Sequence, residues 1–181
     1  MDKRGAIWVS AVLYMALGII IISMVLAAGL PAVQKLKDRY TLIQTKDVML
    51  TLDENIRTVF HEGPGSQRVV KLKIDRGTFE IIPYDSLDDY PNHIVWTFST
   101  PILLSEPDQL ITEGNLGILT SSTAIENSYD ISLALDYTGS DVALYYGEDS
   151  TASGTFSLVI LNEGIVDDFA PDNIKINLER I

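Results

Sequence analysis

Two hydrophobic patterns with different periods divide the chain. From Gly5 to Gln34 the sequence contains no Asp, Glu, Lys, Arg or His. As a helix, this run would extend about 45 Å, whereas the hydrocarbon core of a membrane is about 30 Å thick. From Arg68 onward, apolar residues alternate with polar ones, which is typical of half-buried strands. The pattern therefore predicts a membrane helix followed by a β-rich domain.

The helical spacing continues beyond the uncharged run. Apolar residues recur there at intervals of three and four in two groups, Leu36, Tyr40 and Ile43, then Val48, Leu52, Ile56 and Val59. Pro31 is expected to kink the helix near the outer membrane face, because proline removes a backbone hydrogen bond. The Gly and Pro residues at positions 63–65 are expected to end it. We therefore predict a transmembrane and amphipathic spine helix over residues 6–62, kinked near Pro31.

The remaining part, residues 67–181, is predicted to be an acidic head domain. Seven short runs have the alternation of strands: residues 70–74, 79–82, 94–98, 129–137, 142–146, 156–161 and 174–178. An eighth strand is possible between Leu110 and Leu119. Turn signals separate these runs, which favours an antiparallel sandwich or barrel. The predicted fold class is α+β, with one long N-terminal helix and a β-rich head.

Charge is distributed as unevenly as hydrophobicity. The net charge is −12, and residues 77–174 contain seventeen Asp or Glu and no Lys or Arg. Such a surface repels nucleic acid, because phosphate binding needs clustered basic residues, and no nucleic-acid partner is expected. The absence of cysteine excludes disulfides, cysteine-ligated zinc and thiol catalysis.

The usual signatures of catalysis and cofactor binding are missing from the sequence. His61 and His93 are the two histidines, and they do not have a metal-binding spacing. There is no Gly-x-Ser-x-Gly elbow, no phosphate-binding loop and no Gly-x-Gly-x-x-Gly motif. The acidic clusters at residues 85–89 and 167–168 are interpreted as solvated loops, with calcium binding as the alternative. We therefore predict that the chain is not an enzyme and has no cofactor, catalytic residues or metal site.

Three interpretations of the N-terminal segment compete. A secretory signal would be cleaved after Leu26-Ala27-Ala28, but the apolar core ahead of that site is longer than such signals have. The segment is otherwise a permanent membrane helix, or a pilin-type signal whose apolar part stays in the mature protein.

Arg4-Gly5-Ala6-Ile7, followed directly by the uncharged run, resembles the class III signal peptide of type IV pilin-like proteins, particularly archaeal ones. The resemblance implies that residues 1–5 are a leader and that a prepilin-type peptidase cuts between Gly5 and Ala6. Residues 62–68 are similar to the helix-to-sheet junction of some archaeal members. Bacterial pilins have a glutamate at the position of Ser10, and archaeal relatives commonly lack it.

This resemblance implies a structural subunit of a surface filament that serves adhesion or surface attachment. Its partners would be copies of itself, membrane lipid before assembly, the prepilin-type peptidase and the pilus assembly machinery. The head would lie outside the cell, although a simple count of flanking basic residues favours the opposite orientation, a rule that long domains often escape. The alternatives are a monomeric membrane-anchored extracellular binding module and a membrane-anchored hydrolase that uses carboxylates.

Overall fold

The computed structural model describes residues 3–87, 91–103, 105–125, 128–147, 151–165 and 174–181. The chain divides into two compact units, Met1–Tyr40, called unit 1 here, and Thr41–Ile181, called unit 2. The division falls inside the predicted spine helix rather than at residue 67. The last 22 residues of that helix therefore belong to the same compact unit as the sheet.

One helix, α1, covers Lys3–Glu62 without interruption at Pro31. Leucine, isoleucine and alanine dominate its first half, and alanine and leucine have high helix propensity. The predicted kink at Pro31 stays a prediction, since the structure records a continuous helix there.

The C-terminus of α1 is capped by side chains from the connection and from the sheet. Ser66 Oγ donates to the carbonyl of Val59 over 2.7 Å, and Asn162 Nδ2 donates to the same oxygen over 3.0 Å. Gly63 and Gly65 have φ of +91° and +86°, which lets the chain reverse immediately after the helix. Carbonyls that a helix end normally leaves unpaired are therefore satisfied inside unit 2.

The described residues of unit 2 form eight strands: β1 Gln67–Ile82, β2 His93–Thr100, β3 Leu110–Glu113, β4 Leu116–Ser122, β5 Tyr129–Asp136, β6 Val142–Tyr146, β7 Thr151–Ile165 and β8 Ile174–Arg180. Their order in the sheet is β3-β4-β5-β2-β1-β7-β8-β6. All neighbouring pairs are antiparallel except β6 and β8, which are parallel. The α+β class is thus confirmed.

The sandwich or barrel predicted for the head is not confirmed, because all eight strands belong to one sheet that is not closed. The physical reason is the amphipathic part of α1. Its residues Met49, Leu52, Ile56 and Val59 are completely buried and share one core with the sheet. The apolar face of the strands therefore has a helix against it, so it does not need a second sheet.

The core is built by the inward positions of the alternating strands. Its buried strand residues are Leu72, Ile74, Phe79, Ile81, Ile94, Trp96, Phe98, Leu116, Ile131, Leu133, Leu135, Val142, Leu144, Ala152, Leu158, Ile160, Ile176 and Leu178. Alternation along each strand places these side chains on one face, as the sequence pattern indicated.

Two of the predicted strands join into β1 through an irregularity at Gly77. The pairing of β1 with β7 shifts between Ile74 and Phe79, and Gly77 has φ of +84°. A Cβ atom at this position would lie 2.2 Å from the carbonyl oxygen of Thr97 on β2. Glycine is therefore required both by the backbone conformation and by the close approach of β2.

The two end strands of the sheet differ in how their outer edges are covered. Asn92 seals β6, because its Nδ2 donates to the carbonyl of Val142 over 2.8 Å and its Oδ1 accepts from the backbone N–H of Leu144. The backbone N–H of Tyr84 donates to the carbonyl of Leu144. At the other end, all four residues of β3 are exposed.

Candidate functional site

The N-terminal stretch of α1 has an apolar surface on all sides. Every large apolar side chain that the structure describes between Val12 and Val33 is more than half exposed. The helix is long and apolar enough to cross a membrane. A surface of this kind is stable in lipid or against other apolar helices and is unfavourable in water.

One face of this helix has a regular heptad spacing. Apolar residues and one glycine recur at alternating intervals of four and three, and we call them the seam: Ile22, Leu26, Gly29, Val33, Leu36 and Tyr40. The five large side chains of the seam are each more than half exposed. A strict heptad is the pattern by which helices pack side by side, and a glycine lets two backbones approach closely. The seam is therefore a candidate helix-packing surface.

The predicted leader cleavage residues, Gly5 and Ala6, lie in the first turns of α1. Ser10 lies in the same helix. Cleavage between Gly5 and Ala6 stays a prediction.

A buried polar cluster connects α1 to the sheet within unit 2. Asp53 lies on the buried face of α1 and is 9% exposed. Its Oδ1 accepts hydrogen bonds from Tyr137 Oη over 2.8 Å and from Asn115 Nδ2 over 3.1 Å. Its Oδ2 accepts from Arg57 Nε over 2.8 Å, one turn further along α1. The carboxylate is thus held by three partners from the helix, the β3–β4 connection and the end of β5.

These contacts fix the protonation states of two of the partners. Burial raises the pKa of Tyr137 well above its usual value, and the charge of Asp53 and the hydrogen bond to it act in the same direction. The hydrogen bond to Asp53 raises the pKa of Arg57. Tyr137 is therefore a neutral donor and Arg57 a cation in the folded protein. The arrangement stabilises a buried carboxylate, which needs such partners to be tolerated.

A cleft of about 250 Å³ opens beside this cluster. Arg57, His61, Asn115, Asp136 and Tyr137 are among the residues that line it. They offer donors, acceptors and both signs of charge, so the cleft can hydrogen-bond a small polar molecule.

Metal binding has no support in the described part of the chain. No three His, Asp or Glu side chains there are placed to hold an ion. Of the acidic clusters considered for calcium, Asp85 lies in an exposed turn. Asp88, Asp89, Asp167 and Asp168 lie outside the described residues.

The Asp53 cluster was not predicted from the sequence, although part of its signal is present there. Asp53 lies among Met49, Leu52 and Ile56 on the apolar stripe of α1, and an acid on a buried stripe indicates a polar partner. The partner itself was not predictable, because Tyr137 is 84 positions further along the chain.

Comparisons with models of known protein families, with curated proteins and with solved structures give no match. The assignment of a function therefore rests on the residues and geometry described above.

Proposed function

We propose that this chain is a structural subunit of a type IV pilus-like surface filament, assembled through α1 and serving adhesion or surface attachment. The observation that carries the proposal is the exposed seam. It begins in the apolar run and continues to Tyr40, past the charged residues Lys35, Lys37 and Arg39. Lipid alone suits the first part of the seam, whereas other helices suit all of it.

Before assembly, α1 anchors the subunit in the membrane as a single span with unit 2 outside the cell. The uncharged run of 30 residues exceeds the roughly 20 that a bilayer requires. On assembly, the helices of many copies leave the lipid and pack into a bundle, where the seam and Gly29 allow close contact. The partners are copies of this chain, a prepilin-type peptidase and the assembly machinery. No catalytic residue is needed for this role.

The first experiment tests the leader. Intact mass and N-terminal sequencing of the protein from the cell surface should show Ala6 as the first residue. Gly5→Leu should block this maturation, because the peptidase requires a small residue before the cut. Gly5→Ala is the matched control and should still be processed. A surface protein that retains Met1, or one that begins near Gly29, would contradict the proposal.

The second experiment tests the filament itself. Filaments sheared from cells should be visible in negative-stain micrographs, contain this chain as their main component, and disappear in the Gly5→Leu strain. Cells that make the processed protein in normal amount but have no such filament would refute the structural role.

The second candidate is a monomeric membrane-anchored binding module with the same orientation. The specific observation in its favour is the 250 Å³ cleft beside Asp53, lined by Arg57, His61 and Asp136. Under this alternative, Arg57→Ala should abolish ligand binding and the chain should stay monomeric in the membrane. Under the filament proposal, cross-linking of membranes should give a ladder of multimers.

A further inference from the structure

An apolar groove lies between α1 and the β3 end of the sheet in unit 2. Leu42, Ile43 and Lys46 of α1 form one wall, and Ile111 of β3, Ile118 of β4 and Leu133 of β5 form the other, around a volume of about 180 Å³. Lys46 is ion-paired with Glu113 at the end of β3. The ammonium group of Lys46 therefore lies at the rim of the groove, and the interior of the groove is apolar.

The strand that borders this groove is the uncovered end of the sheet. Leu110 is 63% exposed and Ile111 43%. Within the described residues, the backbone pairing of β3 is to β4 alone. The opposite end strand, β6, is sealed by Asn92. The sheet therefore has one closed end and one apolar, accessible end.

The groove continues the spacing of the seam. Ile43 follows Tyr40 by three positions, which is the next interval of the heptad, and it is itself 57% exposed. The heptad spacing therefore extends from the seam into one wall of the groove, and heptad positions are those that pack against a second helix. This continuity indicates a helix as the occupant.

The distribution of charge indicates which helix occupies the groove. Unit 1 has five basic and two acidic residues, a net charge of +3, whereas unit 2 has eight and twenty-three, a net charge of −15. Two copies of unit 2 would repel each other. The seam, in contrast, has Lys37 and Arg39 beside it, and β3 is preceded by Glu106 and Asp108. Such complementarity sets orientation and association rate, while the apolar contact supplies affinity.

We propose that the groove formed by Leu42, Ile43, Ile111, Ile118 and Leu133 binds the seam of α1 from a second copy of this chain. This inference rests on the proposed filament function and specifies one subunit contact within it. Lys37 and Arg39 beside the seam of one copy then lie near Glu106 and Asp108 of the next. The contact therefore has a defined direction, from unit 1 of one copy to unit 2 of the next.

The absence of native cysteine allows a direct test by disulfide mapping in the intact protein. Two alleles are expressed together in the source cells, one with Ile111→Cys and one with a single cysteine on α1. The α1 position is Val33→Cys or Leu36→Cys on the seam, or Gln34→Cys as the matched control. Gln34 is next to Val33 and also exposed, but it lies on another face of the helix.

Mild oxidation of membranes and of sheared filaments is followed by non-reducing electrophoresis and peptide mapping. A disulfide requires Cα atoms within about 7 Å, so the Ile111→Cys allele should give at least tenfold more mixed dimer with a seam position than with Gln34→Cys. Val69→Cys, an exposed position on β1, replaces Ile111→Cys as the second control and should give no mixed dimer with either seam variant.

Filaments without the mixed disulfide would overturn the groove contact and leave the filament function intact. If Gln34→Cys or Val69→Cys gave as much mixed dimer as the position it replaces, the disulfides would come from random collision and the groove contact would be overturned. A specific mixed dimer in cells that form no filament would support the contact and refute the filament. Absence of both dimer and filament would refute both proposals. A groove filled by lipid alone would give no mixed dimer and would overturn the groove contact only.

Discussion

Replacing Tyr137 with phenylalanine removes a single hydroxyl group from the cluster around Asp53. The hydroxyl donates to Asp53 Oδ1 over 2.8 Å in a buried site, and Arg57 and Asn115 remain as partners of the carboxylate. Hydrogen bonds to charged groups contribute about 1.5 to 3 kcal/mol, so the free energy of unfolding should fall by about this amount near neutral pH. For a domain of this size, the melting temperature should fall by about 5 to 9 °C.

The pH dependence of this loss separates the proposed interaction from a simple packing effect. Folding raises the pKa of Tyr137 above the value of about 10 in the unfolded chain. Its contribution to stability is therefore complete below pH 10, and it falls by about 1.4 kcal/mol per pH unit above pH 10 as the unfolded chain loses the proton. Tyr137→Phe has no such group. The deficit of the variant should shrink above pH 10 and vanish about one to two units higher.

The measurement is urea unfolding of the full chain in detergent micelles, followed by circular dichroism of the sheet at pH 8, 10 and 11. Tyr129→Phe, which removes a half-buried hydroxyl at the start of β5, is the control for loss of a tyrosine from the same strand. A deficit that stays constant up to pH 11 would refute the reasoning. So would full additivity of Tyr137→Phe with Asp53→Asn, because residues that interact are not additive.

Three further outcomes are expected. The fragment Thr41–Ile181 should be soluble and melt cooperatively with a β-rich circular dichroism spectrum, because its core and helix cap lie within it; an aggregated product would contradict this. Gly77→Ala should lower the unfolding free energy by about 2 to 4 kcal/mol in urea titrations, since the new Cβ meets a backbone carbonyl. Gly154→Ala, also at positive φ but in open space, should cost only about 1 kcal/mol, and equal losses would argue against the clash. In the fragment Thr41–Ile181, Asn92→Ala should lower stability by about 2 to 4 kcal/mol and cause self-association through β6 in sedimentation experiments, whereas an unchanged monomer would show that β6 needs no seal.

The type of most elements was predictable from the sequence because their periodicity is local. Alternation in residues 129–137 and 174–178 corresponds to β5 and β8, and the spacing of Leu52, Ile56 and Val59 marks the buried face of α1. The Gly and Pro residues after Glu62 mark the end of α1 for a physical reason, since positive φ is needed there. Trp96 is buried in β2, as its place in an alternating run indicated.

Pairing and closure were not predictable, because they depend on residues far apart in the sequence. Alternation shows that one face of a strand is buried, but not whether a second sheet or a helix lies against it. The sandwich or barrel prediction is unconfirmed for this reason. The β3–β4 hairpin was underestimated as one possible strand because β3 is short and all four of its residues are exposed. The contacts of Asn92 and Asp53 join positions 50 and 84 residues away.

The way α1 ends has a mechanical consequence. Four completely buried residues of the helix belong to the same core as the sheet, and its last carbonyls are held by Asn162 of β7. A pulling force applied along α1 is therefore not carried by a flexible linker. Within unit 2, the buried contacts and the capping hydrogen bonds have to yield together. Within unit 2, the C-terminal part of α1 should therefore leave the sheet by cooperative extraction rather than by gradual stretching.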